Sequence, residues 1–194
     1  MTRPAIFLDR DGTIIEDVGF LDAIDKLVLF PWSVDAIRAC NRAGMAVVVV
    51  TNQSGVARGY FSEAFVDEAH RVLSARLAAG GAHIDAYYHC PHHPEGSVAA
   101  YARPCDCRKP ARGLVDCAAR DLDLDPRRSF VVGDKWIDVG LAQAVGARGI
   151  LVRSGTGAAE IRRRPDLTAD AIVDNLAAAA SWILSKLEIA DCRL

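Results

Sequence analysis

Ile6-Phe7-Leu8-Asp9-Arg10-Asp11-Gly12-Thr13 is the stretch on which the reading of this 194-residue chain turns. With Ala5 ahead of it, the run to Leu8 is apolar without alternation, the pattern of a strand covered on both faces. Asp9 then stands at the carboxyl end of that strand, the edge where open α/β sheets hold their ligands. Gly12 permits a sharp turn and leaves its amide open to close approach. Two carboxylates as near as Asp9 and Asp11 repel unless a cation joins them or one is protonated. A strand followed by an ordinary Asp-Gly turn is the plainer alternative, and the rest of the chain must decide.

Working outward, apolar runs alternate with helical patterns along the whole sequence. Strands are expected at Ala5 to Leu8, Ala46 to Val50, Ile84 to His89, Ser129 to Val132, Arg148 to Val152 and Ala171 to Val173. Helices are expected from Ser33, as a cap, to about Ala43, with Gly44 ending it, and from about Ser62 to Ala79. Others run from about Arg112 to Leu122, Trp136 to Val145 and Asn175 to Ile189. Ile14 to Leu29 reads as a loop, within which the turn Asp17-Val18-Gly19-Phe20 can fold back over a pocket. This alternation predicts a three-layer α/β sandwich around a mostly parallel sheet with right-handed crossovers. Only about 40 positions separate Asp11 from Thr51, too few for a large cap domain. The expectation is a single domain over 1–194, with an irregular loop at about 90–107.

Composition narrows the function. A 51% hydrophobic and 25% charged chain is ordinary for a globular protein. A formal net charge of -2 argues against nucleic-acid or membrane-surface partners. The strongest apolar run, Ala46 to Val50, is too short to span a bilayer, and the N-terminus has no signal-peptide pattern, so the cytoplasm is expected. The six cysteines are then not a disulfide scaffold. Cys40 and Cys117 fall in helical patterns as small hydrophobes, and Cys192 is incidental to the terminal segment.

Three strand ends carry polar groups of different kinds: Asp9 with Asp11, Thr51 with Asn52, and Asp134 with Lys135 and Asp138. Lys109 precedes a helix. Carboxylates, a lysine and a hydroxyl together suit a hard cation and a phosphoryl group, since Mg²⁺ takes oxygen ligands and a phosphoryl group needs its charge neutralised. Asp9, Asp134 and a phosphate dianion sum to about -4, and Mg²⁺ with Lys109 returns about +3. Unit charges 4 Å apart interact by about 4 kcal/mol at an effective dielectric near 20, so the cation is close to obligatory.

Taken in order, Phe7-Leu8-Asp9-Arg10-Asp11-Gly12-Thr13, Val50-Thr51-Asn52-Gln53, Arg108-Lys109-Pro110 and Val132-Gly133-Asp134-Lys135 resemble the four motifs of the haloacid dehalogenase phosphatase superfamily. The resemblance implies that Asp9 is the nucleophile, forming an aspartyl-phosphate, and that Asp11 is the acid and base. It implies Mg²⁺ bound by Asp9, the Asp11 backbone carbonyl and Asp134, with Thr51 and Lys109 holding the phosphoryl group. Asp138 either orders the metal's water shell or caps its helix.

Cys90-Pro91-His92-His93 and Cys105-Asp106-Cys107 form a second constellation. Thiolates and imidazole in one short loop suit a tetrahedral Zn²⁺. Cys90, His92, Cys105 and Cys107 fill all four positions, which makes the zinc structural; His93 is an alternative to His92, and His89 is read as ending its strand. Cys107 immediately precedes Arg108 and Lys109, so fixing the loop fixes both cations. Arg108 can then bind a second anionic group bidentately.

This loop, with Asn52-Gln53-Ser54-Gly55-Val56-Ala57-Arg58-Gly59, resembles the D-glycero-D-manno-heptose 1,7-bisphosphate 7-phosphatase family. That implies removal of the C7 phosphate to leave heptose 1-phosphate, a step towards nucleotide-activated heptose and lipopolysaccharide. It implies substrate contacts from Arg10, Asp17, Val18, Gly19, Phe20, Thr51, Asn52, Gln53, Ser54, Arg108, Lys109 and Lys135, and a small sugar phosphate as partner; a monomer is expected separately. Ala111-Arg112-Gly113-Leu114 departs from the family's usual second Pro and Gly-Met, beyond the phosphate ligands. Histidinol-phosphate phosphatase is the near alternative; a phosphoaccepting receiver and a zinc interaction module are rivals of other classes.

Overall fold

The computed structural model describes residues 2–191; Cys192 lies outside the described residues. The elements follow one another as β1 (Ala5–Leu8), α1 (Ser33–Arg42), β2 (Ala46–Asn52), α2 (Glu63–Ala79) and β3 (Ala86–Cys90), then α3 (Gly113–Asp121) and β4 (Phe130–Gly133). The chain continues through α4 (Trp136–Val145), β5 (Arg148–Val152), α5 (Gly157–Arg163), β6 (Ala171–Val173) and α6 (Leu176–Asp191). The six strands form one sheet in the order β3-β2-β1-β4-β5-β6. Every pairing is parallel, with Ala5 opposite Ala46 and Ile6 opposite Phe130.

The period of two along a strand explains the layers. Ile6 and Leu8 point to one face with Val47, Val49, Phe130 and Val132, under the apolar sides of α1, α2 and α6. Ala5 and Phe7 point to the other with Val48, Val50 and Val131, under α3 and α4. β1 is buried along its whole length, and each large apolar side chain it buries contributes about 1.5–3 kcal/mol. The chain winds outward from β1 through β2 and β3, then returns to β4 on the other flank. The order reverses between β1 and β4, and such a switch point opens a crevice at the strands' carboxyl ends.

Three local expectations shift. Ser33 does not cap α1: it is fully buried, and its hydroxyl donates to the Ile14 carbonyl at 2.7 Å instead of accepting from the helix. The third strand begins at Ala86 rather than Ile84, because the Asp85 carboxylate takes the Val47 N–H at 2.8 Å. The seven-residue α5 lies in a stretch where the sequence pattern predicts no element. Ser62 does cap α2, accepting from the Phe65 N–H. Between β1 and α1 the described residues hold one 3-10 turn, Ile24–Lys26, and no cap domain.

Candidate active site and metal centres

At the switch point Asp9 continues β1 by one residue, its N–H donating to the Val132 carbonyl at 2.9 Å. That bond fixes the carboxylate between β1 and β4. Thr51 stands at the end of β2, and Asp134 follows the last residue of β4. Lys109 arrives from the loop before α3, after which the Lys109–Pro110 peptide is cis. Asn52 holds the Lys109 backbone from both sides: its amide donates to the Lys109 carbonyl at 3.2 Å and accepts from the Lys109 N–H at 3.0 Å.

Lys109 is buried, with its ammonium 2.9 Å from Asp9 Oδ1 and 2.6 Å from Asp138 Oδ1. A buried cation needs such partners. Burial alone would lower the Lys109 pKa, but Asp138 and Asp9 overcome it and hold the amine charged. Burial likewise opposes ionisation of Asp9, and the fields of Lys109 and Lys135 reverse that, keeping its carboxyl below the usual range. Asp138 joins Lys109 to the first turn of α4, its Oδ2 accepting from the Lys135 N–H at 3.1 Å. The helix-cap reading of Asp138 therefore holds, and its other oxygen anchors Lys109.

Asp134 is fully buried. Its Oδ2 accepts from the N–H and the hydroxyl of Thr156, both at 2.8 Å, while Oδ1 has no hydrogen-bond partner among the described residues. Burial and the charge of Asp9 push its pKa up to about 7. Carboxylate oxygens of Asp9, Asp134 and Asp138 lie within 4.8 Å of one another. A buried acceptor with no hydrogen bond, its nearest cation the Lys135 ammonium at 3.8 Å, beside two more carboxylates fits a hard divalent cation.

Gly12 turns at φ +84°, and a Cβ there would sit 2.3 Å from Asp134 Oδ2. Gly155, at φ +56°, comes close enough that its Cβ would meet the Gly12 Cα at 2.4 Å. Ser154 completes this contact by donating to the Gly12 carbonyl at 2.8 Å. Ser154 and Thr156 are site-building residues that the sequence reading missed. Their one signal was position, directly after the fifth strand at the same sheet edge as Asp9 and Asp134.

A cavity of about 230 Å³ opens over these groups. It is lined by Asp9, Asp11, Thr51, Asn52, Gln53, Ser54, Arg108, Lys109 and Lys135, and by Asp17, Gly19 and Phe20 from the turn after β1. Lys135 ties that turn down, reaching Asp17 Oδ2 at 3.2 Å; burial alone would lower its pKa, but Asp134, Asp9 and Asp17 outweigh it and hold the ammonium charged. Val18 instead points outward, 44% exposed. Arg10 likewise is not among the residues that line the cavity. Its guanidinium is buried and directed at the Asp11 carboxylate, with nitrogen–oxygen distances of 2.9 to 3.3 Å. Gln53 joins Asp11 Oδ2 and the Thr51 hydroxyl, both at 2.9 Å.

The second constellation closes as a tetrad. Sulfur–sulfur separations among Cys90, Cys105 and Cys107 are 3.2 to 3.5 Å. His92 Nδ1 lies 3.3 Å from Cys107 Sγ and 3.8 Å from Cys90 Sγ. Sulfurs about 2.3 Å from one tetrahedral ion lie about 3.8 Å apart and a sulfur–nitrogen pair about 3.5 Å, so the tetrad matches a zinc site to within a few tenths of an ångström, its sulfurs drawn slightly closer. Burial and the neighbouring sulfurs push the Cys107 thiol far up, a conflict a bound cation would relieve. His93 is turned away, its Nε2 3.2 Å from the Arg58 guanidinium. Arg108 donates to the His92 carbonyl at 3.3 Å, tying the tetrad to the cavity wall.

A family model described as HAD-hydrolase-like matches 106–179. The chain is 42% identical to D-glycero-beta-D-manno-heptose-1,7-bisphosphate 7-phosphatase of Salmonella typhi, over 95% of this chain and 91% of that protein. It is 44% identical to D-glycero-D-manno-heptose-1,7-bisphosphate 7-phosphatase of Thermosynechococcus vestitus, over 96% of this chain and 98% of that one. The crystal structure of D,D-heptose 1,7-bisphosphate phosphatase from B. bronchiseptica, complexed with magnesium and phosphate, superposes with a TM-score of 0.84 at 33% identity, covering 94% of this chain and 99% of that one.

Proposed function

Because this chain belongs to the D-glycero-D-manno-heptose-1,7-bisphosphate 7-phosphatase family of haloacid dehalogenase-like hydrolases, we propose that it hydrolyses the C7 phosphate of that heptose bisphosphate and leaves heptose 1-phosphate. One observation carries the reading: Asp9, Thr51, Lys109 and Asp134 converge at one sheet edge, three of them lining a single cavity.

In this reading Asp9 attacks phosphorus, the ester oxygen leaves, and Asp11 gives it a proton. The phosphoryl group now rests on Asp9. Asp11, ionised by that transfer, takes a proton from water as the water attacks phosphorus; phosphate is released and both aspartates regain their starting states. Arg10 and Gln53 hold the Asp11 carboxylate against drift through charge-assisted and neutral hydrogen bonds. Lys109 and the Thr51 hydroxyl face the phosphoryl oxygens, and Asn52 sets the position of Lys109 through its backbone. Asp9, Asp134 and the Asp11 carbonyl would hold Mg²⁺, which when bound offsets the negative charge of carboxylates and phosphate. Cys90, His92, Cys105 and Cys107 would hold a structural Zn²⁺, in the reducing cytoplasm where thiols remain available.

Asp9→Asn keeps the shape and removes the nucleophile. Phosphate release from the heptose bisphosphate should fall by roughly 10⁴-fold or more, with an unchanged circular dichroism spectrum. Retained turnover would refute the assignment. Histidinol phosphate assayed beside it should be the poorer substrate; preference for histidinol phosphate would replace this substrate reading with its neighbour.

A further inference from the structure

Asp67 and His70 lie three apart on α2 and therefore share a face of the helix. His89 reaches the same place from β3, one residue before the first cysteine of the tetrad. One ligand-type atom from each of the three lies within 4.8 Å of the other two. His70 is 95% buried, since only 5% of it is exposed. Its Nε2 is buried without a hydrogen-bond partner among the described residues. An imidazole held only for packing would ordinarily satisfy that nitrogen. The His70 ring is fixed by stacking on Tyr87 at 4.5 Å, and it meets the His89 ring tilted by 60° at 5.9 Å.

We propose that Asp67, His70 and His89 form a further metal site, for a borderline divalent ion of the Zn²⁺ class. Two imidazoles and a carboxylate are a donor set that such ions favour over Mg²⁺. Three protein ligands leave one position for water. Glu63, one turn before Asp67, supplies an additional carboxylate, with Oε1 3.3 Å from His89 Nε2. Its other oxygen accepts from the Tyr101 hydroxyl at 2.6 Å, so the outer partners of this site extend into the cysteine loop. An ion here would pin α2 to the strand from which that loop departs. The site shares no ligand with the tetrad or with the Asp9–Asp134 carboxylates.

The test titrates Co²⁺ into the full chain, with the cysteine tetrad already filled by one equivalent of Zn²⁺ and excess Mg²⁺ present. The expected result is one further equivalent bound, with weak visible d–d bands, no thiolate charge-transfer band, and a raised melting temperature. Asp67→Ala and His89→Ala should each weaken that uptake by about 10- to 100-fold or more. Asp67 is exposed, so its variant should melt as the parent does in chelator, which separates loss of the site from loss of the fold. No further equivalent, or one bound with unchanged affinity in both variants, would overturn the proposal. Phosphatase activity is not the readout, so this failure and that of the catalytic reading are distinguishable.

Discussion

Asp134 carries the least satisfied carboxylate of the site. Its Oδ1 is buried with no hydrogen-bond donor among the described residues, and burial together with Asp9 raises its pKa to about 7. In the unfolded chain an aspartate titrates near 3.8. The folded state therefore holds this proton more tightly, and its contribution is complete below about pH 4. It is lost as pH rises through about 7, amounting to about 4 kcal/mol at 1.36 kcal/mol per pKa unit. Mg²⁺ competes with that proton, so the melting-temperature rise on adding Mg²⁺ should be larger at pH 8 than at pH 5; equal rises at both would contradict the role of Asp134. Gly12 is the matching steric requirement. Gly12→Ala forces a positive φ on a residue with a Cβ, costing about 1–3 kcal/mol, and drives that Cβ onto the Asp134 carboxylate. A lower melting temperature and weakened Mg²⁺ binding by calorimetry are expected together.

Among the elements, the cysteine loop makes the clearest demand. Cys107 leads directly into Arg108 and Lys109, and Arg108 is bound back to His92. If the tetrad holds zinc as proposed, stripping it with a chelator, at a cost of about 2–3 kcal/mol, should lower the melting temperature by about 4–12 °C for a chain of this size. KM should rise more than kcat falls, because the cations at the cavity wall lose their register; an unchanged melting temperature would contradict a structural ion. The loop was legible because its residue types have little other use together in a Pro-rich segment. The β5–α5 connection was not. Ser154-Gly155-Thr156 has ordinary turn composition, and its partners Gly12 and Asp134 are distant in sequence. α5 itself is short and carries Arg162 and Arg163 in its last turn, so no apolar periodicity announced it. Arg10 is read as a substrate contact because its sequence neighbours are site residues; in the fold it lies in the turn after β1, its carbonyl accepting from the Ile14 N–H at 2.9 Å, and its guanidinium is buried against Asp11.

At the scale of the molecule, the parallel sheet could be foreseen because its central strands are apolar on both faces, as Ala5–Leu8 and Ala46–Asn52 largely are. The strand order could not, since lateral neighbours depend on which way each crossover turns, and nothing within a strand encodes that. The order β3-β2-β1-β4-β5-β6 is what makes the site: it places Asp9 in the middle, Thr51 on one side and Asp134 on the other. With no cap domain among the described residues, the outer wall of the cavity includes Asp17, Gly19 and Phe20 of the tied-down turn and Arg108, the residue after the cysteine loop. The central claim is that this arrangement lets a carboxylate meet a phosphate ester and take its phosphoryl group. Acid quenching of a single turnover with the heptose bisphosphate, followed by peptide mass mapping, tests it most directly. The account predicts one phosphoryl group on the peptide containing Asp9, located at Asp9 itself, in Mg²⁺ and not in chelator. A phosphoryl group on another residue, or full turnover with none on the protein at any quench time, would contradict it.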